Sequence, residues 1–335
     1  MTVSTQIQLA SRPEGWPSGE NFSTVRVELP DLSDGEVRVR NEAVSVDPYM
    51  RGRMVDAESY VEPFKVGETM TGGAVGRVVE SASDDLPVGT PVLHQYGWRD
   101  VAQGPAERFR AVREAEGMPL SLYLGVLGMT GMTAYMGLTR AAGIREGDTV
   151  FVSGAAGAVG TAVSQIARLL GAGRVLGSAG SQEKIDLITG KYGYDDAVNY
   201  KDAPIREQLP RMAGEGGVDL YFDNVGGDHL EAALDVLNRN GRVAVCGAIS
   251  QYNDTEATPG PDNMNRIITN SLKLQGFTVG DYMQHAEEFN QKMIGWFSEG
   301  RIAYDETVVE GIENAPEAFI SMMRGANQGK MIVRV

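Results

Sequence analysis

A chain of 335 residues with 42% hydrophobic and 22% charged residues is too long for one ordinary core and has the balance of a globular protein of about two domains. Its net charge of -15 disfavours nucleic acid or an anionic membrane as a general partner, because both would repel it. The single cysteine, Cys246, excludes an internal disulfide and a multi-cysteine zinc site, and three histidines leave little from which to build another metal centre. No basic N-terminal segment leads into an apolar run, and no uninterrupted apolar stretch approaches the roughly 20 residues that cross a bilayer. The expectation is a cytoplasmic protein with no membrane segment.

Residues 1 to about 120 alternate short β-rich runs with turn clusters. The runs 25–29, 36–40, 73–80, 91–94 and 108–112 read as strands of a compact all-β unit. Leu122, Val126, Met129 and residues 132–136 then recur at helical separations and mark a connector. From 148 to about 280 strand and helix patterns alternate six times, with strands expected at 149–152, 174–177, 197–200, 218–224, 242–247 and 272–279. Such alternation implies a parallel sheet covered on both faces, since each crossover helix returns the chain to the same end. Phe289, Met293, Trp296 and Phe297 share one helical face that reads as core packing, and 330–335 reads as a last strand returning to the β-rich unit. The expected divisions are therefore 1–125, 126–280 and a returning segment, 281–335, around a six-stranded doubly wound α/β sheet.

The stretch 148–160, Asp-Thr-Val-Phe-Val-Ser-Gly-Ala-Ala-Gly-Ala-Val-Gly, predicts a buried strand, a tight turn and a helix start in succession. Gly154, Gly157 and Gly160 let backbone approach a phosphate, and Val159, Val163, Ile166, Ala167 and Leu170 give the following helix one apolar face. The free N–H groups and dipole at that helix start attract an anion. The spacing is GxxGxxG rather than GxGxxG, so the motif alone fits a dinucleotide pyrophosphate site and a plain glycine-rich turn about equally. Downstream, Arg174-Val-Leu-Gly177 is followed by Ser178-Ala-Gly-Ser-Gln-Glu-Lys184. An NAD site would place a carboxylate about 20 residues past the turn to bind the ribose 2′-OH; neutral residues and Lys184 suit a 2′-phosphate instead. A solvated Lys184 paired with Glu183 or Asp186 is the other reading of that spacing.

Several motifs in the same order resemble the leukotriene B4 dehydrogenase, prostaglandin reductase and alkenal double-bond reductase family of the medium-chain dehydrogenase/reductases. They are Val46-Asp-Pro-Tyr-Met-Arg-Gly-Arg-Met54, Ala155-Ala-Gly-Ala-Val-Gly160, Tyr221-Phe-Asp-Asn-Val-Gly-Gly227, Val245-Cys-Gly-Ala-Ile-Ser-Gln-Tyr-Asn253 and Gln275-Gly-Phe277. Leu9-Ala-Ser-Arg-Pro13 and Leu127-Gly-Met-Thr-Gly-Met-Thr-Ala-Tyr-Met136 look closer still to bacterial NADPH-dependent curcumin reductases. The resemblance spans essentially the whole chain. It implies a GroES-like β-rich catalytic domain beside a Rossmann domain, NADPH as cofactor, and a homodimer formed by pairing the last strands of two nucleotide domains, here 272–279. It further implies a cofactor lining of Gly157, Ala158, Val159 and Gly160 at the turn; Lys184 and Tyr200 at the 2′-phosphate; Asn224; Cys246, Gly247, Ala248, Ile249, Ser250 and Tyr252; Phe277, Thr278 and Val279; and Asn327. Zinc-dependent members open their metal site with a cysteine and add a Gly-His-Glu segment. This chain reads Ser45-Val-Asp-Pro48 and Thr71-Gly-Gly73 in those places, with no such ligands, so no metal site is expected.

The expected reaction is hydride transfer from NADPH to the β-carbon of a small-molecule α,β-unsaturated ketone or aldehyde, which leaves negative charge on the carbonyl oxygen as an enolate. A donor positioned at that oxygen lowers the barrier most directly. Tyr252, at the C-terminal edge of the fifth strand where open α/β sheets bind ligands, is the first candidate, since a phenol is ordinarily protonated at neutral pH. A loop aromatic packed over the cofactor is its alternative role. Tyr49 is the second candidate, expected where the β-rich unit faces the nucleotide domain. Arg51 and Arg53 read as structural, Tyr60, Tyr96 and Trp98 as core, and Cys246 as an inert buried thiol. Two other activities fit the superfamily, quinone reduction and enoyl-thioester reduction, and a non-catalytic NADPH-binding redox sensor is the alternative outside enzymes.

Overall fold

The computed structural model describes residues 2–114 and 117–335. The chain forms two compact units, one from Met1–Gly125 with Glu306–Val335 and one from Val126–Asp305.

In the first unit β1 (Thr2–Leu9) pairs antiparallel with β2 (Phe22–Leu29). Then come β3 (Glu36–Ser45), the short helix α1 (Tyr49–Arg53), β4 (Ala74–Ser81), β5 (Pro91–His94), β6 (Val101–Pro105) and β7 (Arg110–Ala111). β3 is long enough to take two neighbours on one side. Its first half pairs with β6 at Glu36–Arg40, and its end pairs at Ala43–Ser45 with the last strand of the chain. Val37, Val39, Val78, Val92 and Ala102 fill the core between these strands, as alternating half-buried strands require. β1 was not anticipated, because two of its inward positions are polar. Ser4 Oγ donates to the Val101 carbonyl at 2.7 Å and Gln6 Oε1 accepts from Thr69, so both are buried and satisfied.

The second unit opens with α2 (Met129–Met136) and then alternates strand and helix: β8 (Thr149–Val152), α3 (Ala158–Leu169), β9 (Arg174–Ala179), α4 (Gln182–Lys191), β10 (Asp196–Asn199), α5 (Ile205–Ala213), β11 (Val218–Asp223), α6 (Gly227–Val236), β12 (Leu237–Val245), α7 (Asn265–Thr269) and β13 (Lys273–Gly276). All six strands are parallel, in the order β10-β9-β8-β11-β12-β13. This is the doubly wound sheet expected from the alternation, and its order reverses between β8 and β11. Phe151 and Tyr221 stack across that pair with centroids 5.1 Å apart, worth about 1 kcal/mol beyond their burial. Val163, Ile166 and Ala167 of α3 are fully buried, as its apolar stripe predicts.

Residues 281–305, expected to leave with the C-terminal segment, stay with this unit. α8 (Ala286–Ser298) buries Phe289 and Met293, sets Phe289 and Trp296 against Tyr135 of α2, and accepts a 2.6 Å hydrogen bond from the Tyr135 hydroxyl at Glu288. That packing carries the boundary on to Asp305. The chain then returns to the first unit through β14 (Glu306–Glu310), α9 (Ala315–Met323) and β15 (Lys330–Arg334), which lies between β14 and β3. Among the described residues no helix is long and apolar enough to cross a membrane.

Candidate functional site

The glycine turn links β8 to α3 directly. Gly154 has φ +61, which side chains rarely adopt, and a Cβ on Gly160 would lie 2.5 Å from the Gly154 carbonyl oxygen, so neither position tolerates another residue without a shift. Gly157 caps α3 with no side chain over the helix start. The first-turn N–H groups at Ala158, Val159 and Gly160 can thus receive an anion, and the turn can hold a pyrophosphate.

At the end of the neighbouring strand the chain gathers cations. Ser181 caps α4 by accepting from Lys184 N at 3.3 Å, which sets the lysine on the first turn. A Cβ on Gly180 would lie 2.7 Å from the Tyr200 hydroxyl and 3.3 Å from Lys201 Cε, so this glycine leaves room for both side chains. Tyr200 meets His229 edge-on at 5.3 Å, and His229 Nε2 lies 3.0 Å from Ser178 Oγ. Burial lowers the Lys184 pKa, and the nearby Lys201 ammonium lowers it further. Two lysines that repel each other beside a phenol make a site in which a phosphate dianion relieves both. Lys201 was not anticipated. It follows β10, and only the pairing of β10 with β9 brings it beside Lys184.

Across the reversal point, the ends of β11 and β12 carry Asn224 and residues 246–252. Asn224 Nδ2 donates to the Ser153 carbonyl at 2.8 Å, and Cys246 N and Gly247 N both donate to the Asp223 carbonyl. Tyr252 follows a short 3-10 turn, and a Cβ on Gly247 would lie 3.1 Å from its hydroxyl oxygen. Ala248 and Ile249 are half-buried and Ser250 is exposed, its hydroxyl donating to the Val225 carbonyl. Cys246 is half-buried with its thiol pushed up to about 12, chiefly by desolvation and also by Asp223, which keeps it a neutral thiol. The Phe277 ring packs edge-on against Phe222 in the core, so what Phe277 can offer a ligand is mainly backbone.

Tyr49 and Asn327 belong to the first unit. Tyr49 begins α1, half-buried, and burial followed by the Asp47 charge raises its phenol well above the ordinary value. It can donate a proton or a hydrogen bond but cannot serve as a base at ordinary pH. Asn327 Nδ2 donates to the Gly329 carbonyl in the turn before β15. The two arginines are held within the same unit. Arg51 donates to the Gly15 carbonyl, while Arg53 donates to Glu62 and Thr71 and lies over the Phe64 ring at 3.9 Å. Trp98 is fully buried and Tyr96 stacks on Phe109, as core residues do. Tyr60 departs from that expectation: it is 70% exposed, in the loop after α1.

The positions where a metal site would open are filled by an ion pair. Ser45 Oγ bonds Asp47 Oδ2, and the buried Lys330 ammonium lies 3.2 Å from Asp47 Oδ1 while donating to the Val46 and Met331 carbonyls at 2.8 Å. A dication beside that ammonium would be repelled, and the segment supplies no sulfur or imidazole ligand, so these residues do not fit zinc. His94 is buried against Asn41 Oδ1 at 2.8 Å, with its pKa lowered to about 3 by desolvation, and serves packing. Among the described residues no group of three or more histidine, cysteine or acidic side chains could hold a metal ion.

A family model described as the N-terminal domain of oxidoreductase matches residues 5–112, and one described as zinc-binding dehydrogenase matches 158–299. The chain is 44% identical over 327 residues to prostaglandin reductase 1 of Bos taurus, covering 96% of this chain and 95% of the relative. It is 41% identical over 332 residues to the NADPH-dependent curcumin reductase of Escherichia coli (strain K12), covering 98% and 95%. Among solved structures it is similar to CurA in complex with NADPH from Vibrio vulnificus, with a TM-score of 0.92, 42% identity and 99% of each chain covered. At these identities and coverages, the chain belongs to the medium-chain dehydrogenase/reductase family that contains prostaglandin reductase 1 and NADPH-dependent curcumin reductase.

Proposed function

We propose that this protein is an NADPH-dependent reductase of the C=C bond of α,β-unsaturated ketones and aldehydes. The observation that carries the cofactor is the cation pair: Lys184 and Lys201 converge with Tyr200 at the end of β9, one strand from the glycine turn, where a dinucleotide places its adenosine ribose. When bound, the reduced nicotinamide supplies a hydride to the β-carbon of the enone. The charge that then gathers on the carbonyl oxygen needs a neutral donor. Tyr252 stands beside Gly247 at the C-terminal edge of β12, on the nicotinamide side of the reversal point, and donates to that oxygen. Tyr49, in the first unit, is kept protonated by burial and is able to donate a hydrogen bond to a substrate oxygen. Asn224 and residues 246–250 line the nicotinamide half with backbone and small side chains, joined by 277–279 of the same unit.

The expected setting is the cytoplasm, consistent with one unpaired cysteine. A homodimer through β13 is consistent with that strand ending the six-stranded sheet, and with Met264, Ile268 and Met283 exposing apolar surface in the same unit. Analytical ultracentrifugation tests the dimer.

NADPH oxidation measured against enones, enals, quinones and enoyl thioesters tests the function. Turnover is expected with enones and enals. Turnover only with quinones or only with thioesters would reassign the substrate, and tight NADPH binding without turnover on any acceptor would favour a sensor.

A further inference from the structure

Three strand ends meet at one carboxyl group. Asp223, the last residue of β11, is fully buried, and its Oδ1 accepts from the Tyr221 hydroxyl at 2.6 Å, Gly226 N at 2.8 Å, Val225 N at 3.0 Å and Ser153 Oγ at 3.3 Å. Ser153, just past β8, also takes Asn224 N at 3.0 Å on its hydroxyl and lies 2.9 Å from the Tyr221 hydroxyl. The Asp223 carbonyl receives Cys246 N at 2.9 Å and Gly247 N at 3.1 Å from the end of β12. One side chain and its own carbonyl therefore fix the turn 223–226 and the backbone on which Tyr252 rests.

The other carboxyl oxygen, Oδ2, is buried with no hydrogen-bond partner among the described residues. Burial raises the Asp223 pKa despite its four donors, so a carboxyl is a costly group to place here. A turn needing only support could use a neutral acceptor. The cost is understandable if the group's value lies in holding ligand-facing backbone to a narrow geometry.

We propose that Tyr221, Ser153 and Asp223 form a buried positioning network that holds Asn224 and residues 246–252 in register for the nicotinamide half of the cofactor, and leaves the adenosine half untouched. The proposal rests on the reading that Asn224 and Tyr252 serve that half. The network spans the sheet reversal, with Tyr221 and Asp223 on β11 and Ser153 just past β8, whereas Lys184, Tyr200 and Lys201 lie beyond the ends of β9 and β10.

The test is Tyr221→Phe, which removes one hydroxyl and keeps the stack on Phe151. With an enone substrate, kcat should fall about fivefold to tenfold and the Kd for NADPH should rise, while the Kd for 2′,5′-ADP, which lacks the nicotinamide, should stay within about twofold. Ser153→Ala should give the same split, and it decides the matter if Tyr221→Phe does not fold. Equal weakening of both ligands would overturn the proposal in favour of general loosening, and a lowered Tm with unchanged kinetics would reduce the network to core packing. Tyr252→Phe, measured alongside, separates the two readings. If it turns over normally while Tyr221→Phe shows the split, the Tyr252 assignment fails and the network acts through Asn224.

Discussion

Replacing Lys184 by alanine tests cofactor recognition most directly. A charge-assisted hydrogen bond to phosphate contributes about 1.5–3 kcal/mol when partly desolvated, and Lys184 is half-buried. Its pKa is already lowered by burial and by Lys201, so in the free protein part of its charge is held against repulsion that the substitution removes. That relief favours the middle of the range, about 2 kcal/mol, or roughly thirtyfold in affinity. KM for NADPH should rise by about that factor at saturating enone, followed by the loss of reduced-nicotinamide absorbance, while KM for NADH changes less than twofold. Lys201→Ala should show the same selectivity with a smaller factor, because Lys201 is exposed. The double variant should lose more than the product of the two, since each single substitution is partly offset by relief of the lysine–lysine repulsion and the double variant gains that relief only once. A rise shared equally between NADPH and NADH would refute the reasoning, because only the 2′-phosphate distinguishes the two cofactors.

Tyr252→Phe should lower kcat with an enone by about tenfold or more, in line with losing one oxyanion donor, and unchanged turnover would remove Tyr252 from the chemistry. NADPH affinity should also depend on pH. Binding a phosphate favours charged Lys184, whose pKa is lowered in the free protein, so affinity is full below that pKa and falls as pH rises through it; Kd measured for NADPH and NADH across the alkaline range should show this limb for NADPH alone. Lys330→Met should strand the buried Asp47 carboxylate and destabilise the first unit by about 3 kcal/mol or more, seen as an earlier transition in thermal or denaturant unfolding. An unchanged transition would show that the ion pair contributes nothing net.

The sheet was legible because strand and helix periods alternate cleanly from Thr149 onward, and because Gly154 and Gly160 stand where backbone geometry admits nothing larger. β1 was not, since Ser4 and Gln6 hide their polarity in hydrogen bonds that exist only once β6 and Thr69 are in place. β14 is short, with four half-buried residues before the exposed Glu310 and no alternation to announce it. At the site, Lys184 follows the turn at a spacing that chemistry can interpret, whereas Lys201 becomes its neighbour only through the pairing of β10 with β9. Asp223 looked like part of a motif. Its role as an acceptor for four donors depends on Ser153, seventy residues earlier, and no local pattern reports that distance.

The Lys330 ammonium has a further consequence, for the order in which the chain is made. Its partners, Asp47 and the Val46 carbonyl, leave the ribosome nearly three hundred residues before Lys330 does. β15 is an interior strand, seated between β14 and β3, so the sheet of the first unit stays open until β15 has been made. The parallel sheet of the second unit is complete at Gly276 and can close while the chain is still tethered. Until β15 arrives, the early strands wait with Asp47 unpaired and an edge exposed, which makes them the part most in need of protection during synthesis.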